Sequence, residues 1–253
     1  MLIWYRVLIL SVVSYFFGNV NFARIIAAAR HLDITKKGSG NPGTMNMVRV
    51  LGIKFGIMTL VLDALKAVVP CVLGGLFLLP RGAVNPCPWF PGLPSVDGVR
   101  SLFFLPGVYI AGIAVIVGHM YPVVYLFRGG KSVASAIGFF IVCDWRFALL
   151  TFVIVAAIFF LFRYASVASL CFVVVMTALE YVKLFVWDSG GGYTVLLAIL
   201  LAAVFALIMF AHRHNIQKIL TGRENKISDV SFVKKADPDE KKADSGETGG
   251  GKK

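Results

Sequence analysis

Residues 193–211 have the sequence YTVLLAILLAAVFALIMFA, nineteen residues that contain neither a charge nor a proline. About 20 apolar helical residues cross the hydrocarbon core of a bilayer, so this stretch predicts a transmembrane helix. Six further apolar stretches precede it: residues 2–29, 51–79, 102–127, 132–143, 146–162 and 166–187. The sequence therefore predicts an all-α, polytopic membrane protein with seven transmembrane helices.

The composition excludes the soluble classes of protein. Of the 253 residues, 58% are hydrophobic and 15% are charged, whereas an average soluble domain is about 25% charged. Lys and Arg number 25 against 13 Asp and Glu, a net charge of +12. The basic residues lie largely between the apolar runs, where sidedness in a membrane explains them without a nucleic acid. The four cysteines have no metal-ligand spacing, and the sequence predicts neither a disulfide nor a metal site.

The basic residues also decide between six and seven spans. Residues 132–143 and 146–162 are short stretches that could form one kinked helix, interrupted at Asp144 and Arg146. With seven spans and the C-terminus inside, the inner side carries eleven basic residues: Arg30, Lys36, Lys37, Arg49, Arg128, Lys131, Arg163, Arg213, Lys218, Arg223 and Lys226. The outer side then carries four: Arg6, Arg81, Arg100 and Arg146. A six-span arrangement removes this asymmetry, so we expect seven spans, the N-terminus outside and the C-terminus in the cytoplasm.

Two regions differ in composition. Residues 1–228 form the predicted membrane domain, whereas residues 229–253 are a low-complexity run of Lys, Asp, Glu and Gly. Such a run lacks the apolar residues of a packed core. We therefore predict a disordered, charged cytoplasmic tail.

Three polar, glycine-containing blocks lie on the predicted inner face. The first, residues 37–46, is KGSGNPGTMN and is followed by Arg49. Glycines permit positive φ and a concave arrangement of N–H groups that binds anions, and an arginine adds a bidentate cation. The alternative is an ordinary turn, the commonest role of such a loop. Its candidate residues are Ser39, Gly40, Asn41, Gly43, Thr44 and Asn46.

The second block, residues 118–132, is GHMYPVVYLFRGGKS. Its turn Gly129-Gly130-Lys131-Ser132 precedes a predicted helix, where backbone N–H groups and the helix dipole favour a phosphate. It lacks the upstream glycine of a Walker A loop. An interfacial turn with two snorkelling cations is the alternative.

The third block, residues 212–227, is HRHNIQKILTGRENKI. His212 and Asn215 are three residues apart, so both share one helix face and could address one substrate. An amphipathic helix facing lipid phosphates is the alternative. The inner turn Arg163-Tyr164-Ala165-Ser166 could lend Ser166 to the same site. Together the blocks are rich in anion donors and poor in carboxylates, which predicts a phosphate-bearing substrate.

Two pairs of opposite charges lie within predicted spans. Asp63 and Lys66 are three residues apart, as are Glu180 and Lys183. Charges at that depth usually pair inside the bundle. We predict a structural ion pair for each.

The segments GSGNPGTMN…R, GHMYPVVYLFRGGKSVAS and HRHNIQKILTGRENKI resemble, in order and spacing, the three inner-face motifs of the bacterial PlsY family of acyl-phosphate:glycerol-3-phosphate acyltransferases. The resemblance implies a multi-pass enzyme of the bacterial plasma (inner) membrane whose active site faces the cytoplasm. It implies acyl transfer from acyl phosphate to the sn-1 hydroxyl of glycerol 3-phosphate, giving lysophosphatidic acid and phosphate. This reaction is the first acylation of phospholipid synthesis and needs neither a cofactor nor a metal.

The blocks and the resemblance together assign roles to individual residues. We expect catalytic roles for Ser39, Arg49, Lys131, His212 and Asn215. We expect substrate binding by Gly40, Asn41, Gly43, Thr44, Asn46, His119, Gly129, Gly130, Ser132, Ser166 and Glu224. The expected partners are acyl phosphate, glycerol 3-phosphate and membrane lipids, with no nucleic acid, and we expect a monomer.

The sequence departs from the family's motifs in four places. Gly18-Asn19-Val20-Asn21 replaces Gly-Ser-x-Pro, Gly43-Thr44-Met45-Asn46 replaces Gly-Ala-Thr-Asn, and Ser132 and Ala67 each replace a glycine. These differences leave a paralogue acting on another phosphorylated alcohol, or a non-catalytic scaffold, as alternatives. A transporter of organic phosphates is a further alternative, although the chain has no evident internal repeat. The base is either His212 or an oxygen of the substrate phosphate.

Overall fold

The computed structural model describes residues 2–78, 104–187 and 193–224. Within these ranges the secondary structure is helical, without a strand. The α-helices are α1 (Leu2–Asn19), α2 (Phe22–Ala28), α3 (Thr44–Leu51), α4 (Ile53–Leu78), α5 (Phe104–Met120), α6 (Val133–Phe162), α7 (Ala165–Val182), α8 (Thr194–Ala211) and α9 (Arg213–Leu220). The predicted tail, residues 229–253, lies outside the described residues.

Six helical segments in the described ranges are long and apolar enough to cross a membrane. They are α1 with α2, then α4, α5, α6, α7 and α8. The predicted all-α, polytopic membrane architecture is confirmed at this level. The short helices α3 and α9 flank the spans and carry parts of the first and third sequence blocks.

The first predicted stretch, residues 2–29, is two helices instead of one. The break follows Asn19, and Asn21 caps α2 because its Oδ1 accepts a hydrogen bond from the Arg24 N–H at 2.9 Å. A side-chain oxygen at this position satisfies a donor that the start of a helix leaves unpaired. The cap therefore begins a separate helix, α2, which leads into the loop that follows it.

Helix α6 is also interrupted, at Asp144, whose backbone is extended (φ −158°, ψ 101°). Lys131 precedes α6 and donates a hydrogen bond to Asn215 Oδ1, and Asn215 Nδ2 donates to Ser166 Oγ, just after α6, at 2.5 Å. A straight helix of 30 residues would separate its ends by about 45 Å. The two arms of α6 therefore fold back toward one another, and they correspond to the predicted stretches 132–143 and 146–162.

Helix α5 forms the centre of the bundle, where glycines allow backbones to approach closely. A Cβ on Gly118 would lie 2.2 Å from the Tyr15 carbonyl oxygen of α1, and one on Gly107 would lie 2.2 Å from the Gly74 oxygen of α4. Small residues serve this purpose between membrane helices. The α1–α5 contact fixes the C-terminal end of α5, where the second block begins.

Both predicted intramembrane ion pairs are confirmed. Lys66 Nζ lies 2.8 Å from Asp63 Oδ1, and Lys183 Nζ lies 3.6 Å from Glu180 Oε2. Asp63, Lys66 and Glu180 are buried. Pairing offsets the cost of placing these charges at membrane depth.

Candidate active site

The first block forms a loop that Asn46 closes from helix α3. The buried Asn46 amide accepts a hydrogen bond from the Ser39 N–H at 2.8 Å and donates to the carbonyl oxygens of Ile34 (3.1 Å) and Lys37 (3.0 Å). Gly38 completes the turn, with φ +58°. The amide of Asn46, predicted to bind substrate, is thus bonded to the backbone of the loop.

Asn21 is a second anchor of this loop. Its Nδ2 donates a hydrogen bond to the Pro42 carbonyl oxygen at 3.1 Å, and the contact is buried. In the sequence, Asn21 stands out only as a departure from a family motif. The available signal was an asparagine directly before a helix, a preferred capping residue.

The outer side of the loop presents unengaged polar groups. Ser39 is exposed, and Asn41 and Thr44 are half-buried. Their side chains form no hydrogen bond with the described residues, and exposed Arg49 has neither a hydrogen bond nor an ion pair within those ranges. These four side chains are free to contact a ligand.

The second block folds back onto His119. The Gly129 and Gly130 N–H groups donate to the carbonyl oxygens of Met120 (3.1 Å) and His119 (3.0 Å). A Cβ on Gly130 would lie 2.2 Å from His119 Nε2, and one on Gly129 would lie 1.9 Å from the His119 oxygen. Only glycine fits at both positions, and the fit fixes the backbone that leads into Lys131.

Helix α6 begins immediately after this turn. Ser132 has φ +61°, and its Oγ donates to the Ile116 carbonyl oxygen at 2.9 Å, so this hydroxyl, predicted to bind substrate, is bonded to α5. No side chain caps α6 at Ser132. The first backbone N–H groups of a helix lack intrahelical partners, which leaves donors beside Lys131 for an anion.

Four predicted site residues form one hydrogen-bonded chain. Lys131 Nζ donates to Asn215 Oδ1, Asn215 Nδ2 donates to Ser166 Oγ at 2.5 Å, and Ser166 Oγ donates to Glu224 Oε1 at 2.6 Å. These hydrogen bonds join the start of α6, the start of α7, helix α9 and the residues that follow α9. Lys131 uses one of its three N–H donors in this way, and the other two have no partner among the described residues.

The charge around Lys131 is predominantly positive. Burial lowers the pKa of the Lys131 ammonium, Glu224 opposes this shift, and Arg49 and Lys218 lower the pKa further through repulsion. Lys218 was not among the predicted site residues. Three cations with one carboxylate form a site that favours an added anion.

His212 lies at the junction of α8 and α9 and is 2% exposed. Its Nδ1 lies 2.9 Å from the Ile208 carbonyl oxygen. A carbonyl oxygen only accepts, so Nδ1 carries the hydrogen and Nε2 is the basic nitrogen of the neutral ring. Burial lowers the pKa of His212; the Ile208 carbonyl raises it, Lys131 lowers it and Glu224 raises it. The ring is therefore neutral near pH 7 and can accept a proton at Nε2.

The predicted residues thus fall into two groups. One has side chains without hydrogen bonds to the described residues or belongs to the charged network: Ser39, Asn41, Thr44, Arg49, Lys131, Ser166, His212, Asn215 and Glu224. The other shapes the two loops: Gly40, Gly43, Asn46, His119, Gly129, Gly130 and Ser132. Within the described ranges, no three His, Cys, Asp or Glu side chains are grouped as a metal site would require.

Comparisons with known proteins identify relatives of this chain. Residues 8–222 match the glycerol-3-phosphate acyltransferase family. The chain is 33% identical to a glycerol-3-phosphate acyltransferase of Aquifex aeolicus, over 87% of this chain and 99% of the relative. It is 38% identical to that of Halalkalibacterium halodurans, over 87% and 94% respectively.

The fold is similar to that of a solved relative. A crystal structure of PlsY (YgiH), an integral membrane glycerol 3-phosphate acyltransferase in its glycerol 3-phosphate form, superposes with a TM-score of 0.69 at 31% identity, covering 88% of this chain and 96% of that one. A lysophosphatidic acid form superposes equally well, with a TM-score of 0.69. On its sequence and its fold, the chain belongs to the glycerol-3-phosphate acyltransferase family.

Proposed function

We propose that this protein transfers a fatty acyl chain from acyl phosphate to the sn-1 hydroxyl of glycerol 3-phosphate, giving lysophosphatidic acid and phosphate. The observation that carries the proposal is the chain Lys131–Asn215–Ser166–Glu224 with Arg49 and Lys218 beside it. Both substrates are anions that repel one another. A cationic site with free N–H donors offsets that repulsion.

The reaction requires little beyond positioning. The acceptor oxygen attacks the carbonyl carbon of the mixed anhydride and forms the ester bond, while the bond between that carbon and the phosphate oxygen breaks. The hydroxyl proton leaves with the phosphate, either through His212 Nε2 or directly to a phosphate oxygen. Holding the reactants in contact contributes about 7–11 kcal/mol in favourable cases.

The cations have a second role in the transition state. Negative charge grows on the carbonyl oxygen during attack and on the departing phosphate as the bond breaks. Lys131 has two unengaged donors and Arg49 is unpaired among the described residues, so both can bind these oxygens. Donors fixed before the reaction stabilise such charge most effectively. The exposed hydroxyl of Ser39 and the half-buried amide of Asn41 add neutral donors from the first loop.

For the topology we propose seven spans, counting the arms of α6 separately, with the N-terminus outside and the site at the cytoplasmic face of a bacterial plasma membrane. Two observations support this: both ends of α6 lie at the Asn215 site, and the basic residues cluster on that side. We also propose that the protein acts as a monomer. The membrane domain is residues 1–228, followed by a charged tail.

The function is tested with purified protein in detergent, palmitoyl phosphate and glycerol 3-phosphate, following phosphate release and lysophosphatidic acid together. Palmitoyl-CoA serves as the parallel donor. We expect equal amounts of the two products from palmitoyl phosphate and none from palmitoyl-CoA. Absence of product from both donors contradicts the proposal, and other phosphorylated alcohols then test for a different acceptor.

A further inference from the structure

A buried polar cluster lies between the two glycine loops and takes no direct part in the proposed chemistry. Lys66 Nζ lies 2.8 Å from Asp63 Oδ1, 2.5 Å from the Val20 carbonyl oxygen and 2.7 Å from His119 Nδ1. The contacts with Val20 and His119 are hydrogen bonds, each using one N–H donor of the ammonium, and the contact with Asp63 is an ion pair. An ion pair that served only to neutralise Asp63 would need only the last of these, the contact with Asp63 itself.

The contact with His119 fixes which nitrogen of that ring carries the hydrogen. Lys66 donates to Nδ1, so the neutral ring carries its hydrogen on Nε2. Nε2 lies against Gly130, where an added Cβ would be 2.2 Å away, and no described residue accepts a hydrogen bond from it. The Nε2–H group therefore adjoins the backbone that precedes Lys131.

The contact with Val20 extends to the other loop. Val20 occupies the break between α1 and α2, and the next residue, Asn21, holds the Pro42 carbonyl oxygen of the first loop at 3.1 Å. Lys66 is thus bonded to the segment that anchors the first loop and to the histidine that supports the second. One ammonium stands between the two loops that carry Arg49 and Lys131.

We propose that Lys66 is a positioning residue for the phosphate site: through Val20 and the His119 tautomer it sets the relative placement of the two loops. The inference rests on the proposed function. Displacing a reacting group by about 1 Å costs on the order of a hundredfold in rate. Removing this ammonium therefore lowers kcat/KM without unfolding the bundle.

A second buried polar contact in the protein serves as the control for this experiment. Asp63→Asn with Lys66→Met removes both charges of the first pair. Tyr109→Phe with Glu180→Gln is the second double variant: it removes the buried contact of 3.5 Å between the Tyr109 hydroxyl and Glu180 Oε2. It keeps Lys183, which donates to the Cys143 carbonyl oxygen at the α6 break. We expect the first double variant to lose at least about tenfold in kcat/KM, with an effect on both substrates' KM values. The second double variant should keep the wild-type value per folded molecule.

A spectroscopic measurement distinguishes a positioning role of Lys66 from an effect on the stability of the protein. ¹⁵N NMR of labelled histidine should show His119 with its hydrogen on Nε2 in the wild type and a mixture of tautomers in the Asp63→Asn, Lys66→Met variant. His119→Asn keeps an acceptor near the Nδ1 position for Lys66 but removes Nε2, and should lose kcat/KM comparably while remaining folded.

Three results would overturn the inference: equal kcat/KM in the two double variants, an unchanged His119 tautomer without Lys66, or full activity of His119→Asn. If the first double variant does not fold, the inference is still tested by kcat/KM of His119→Asn and by the His119 tautomer of the wild type. An inactive wild type would instead contradict the proposed function, and the tautomer measurement would remain independent of it.

Discussion

Lys131 is held by a residue 84 positions further along the chain, the amide of Asn215. Each bond from Lys131 to Glu224 has one possible direction, because the ammonium only donates and the carboxylate only accepts. The orientation of the Asn215 amide and of the Ser166 hydroxyl follows from these two ends. The network thereby fixes the lysine while leaving two of its donors for a ligand.

Removal of either phosphate-binding cation should abolish most activity. Lys131→Ala and Arg49→Ala should each lower kcat/KM on the order of a hundredfold to a thousandfold, the usual cost of losing one such donor. Arg49→Lys should not restore it, because a lysine cannot form the two parallel hydrogen bonds of a guanidinium. Lys36→Ala is the matched control, since that side chain is 82% exposed. Wild-type activity in either alanine variant contradicts the assignment.

The pH dependence should identify the base. To act as the base, the His212 imidazole must be in its neutral form. Its pKa lies below the ordinary 6.5 because the ring is buried. If His212 accepts the proton, kcat/KM falls only below pH 6.5. Lys131 must stay protonated, and its pKa is lowered from 10.5, so the alkaline decline begins below that pH.

Measuring kcat/KM against pH in the wild type and in His212→Ala checks this prediction. The acid decline should disappear in the variant, together with most of the rate. An unchanged acid decline in His212→Ala assigns the proton to the substrate phosphate instead. The alkaline decline is expected in both proteins and serves as the internal reference.

At the scale of elements, each glycine loop is closed by a side chain from a neighbouring helix. Asn46 of α3 closes the first, and His119 of α5 supports the second. The sequence identified both loops from their glycines and placed both side chains in the site. It could not distinguish a side chain that faces a ligand from one that bonds to its own loop, because that depends on how the loop folds around it.

A pair of glycines separates steric contact from backbone strain. Gly38 (φ +58°) and Gly52 (φ +91°) both have backbones that disfavour a side chain, but only at Gly38 would a Cβ meet an atom within 4 Å, Asn46 Oδ1 at 2.3 Å. Gly38→Ala should displace Asn46 and lower kcat/KM about tenfold or more. Gly52→Ala should lower the melting temperature and leave kcat/KM unchanged. Equal kinetic effects would mean that strain alone disrupts the site.

At the scale of the whole molecule, the folding back of α6 brings the second and third blocks together. Hydropathy predicted its two arms, and the count of basic residues predicted that both ends lie on one side. The contacts that complete the site could not be predicted from the sequence. Ser166 bonds to Glu224 across 58 positions and Lys66 to His119 across 53. No local pattern encodes such pairs, since they depend on the packing of separate helices.

The folding back of α6 can be measured as a distance. Spin labels at Arg128→Cys and Arg163→Cys, in a background with the native cysteines replaced by alanine, should lie well under the roughly 45 Å of a straight 30-residue helix. Labels at Lys54→Cys and Phe77→Cys, along α4, should give about 35 Å in the same sample conditions. A long distance for the first pair would contradict the arrangement.

The chain from Lys131 to Glu224 has a consequence for biosynthesis. Two of its four members, Asn215 and Glu224, follow helix α8 in the sequence, and α8 is the final span among the described residues. A nascent chain that has already inserted its earlier helices contains Arg49 and Lys131 but lacks Asn215, the partner of Lys131. If Asn215 and Glu224 have the roles proposed here, acyl transfer begins only after the ribosome has released the segment beyond α8. We therefore expect incomplete translation products in the bilayer to be inert toward the lipid precursors around them.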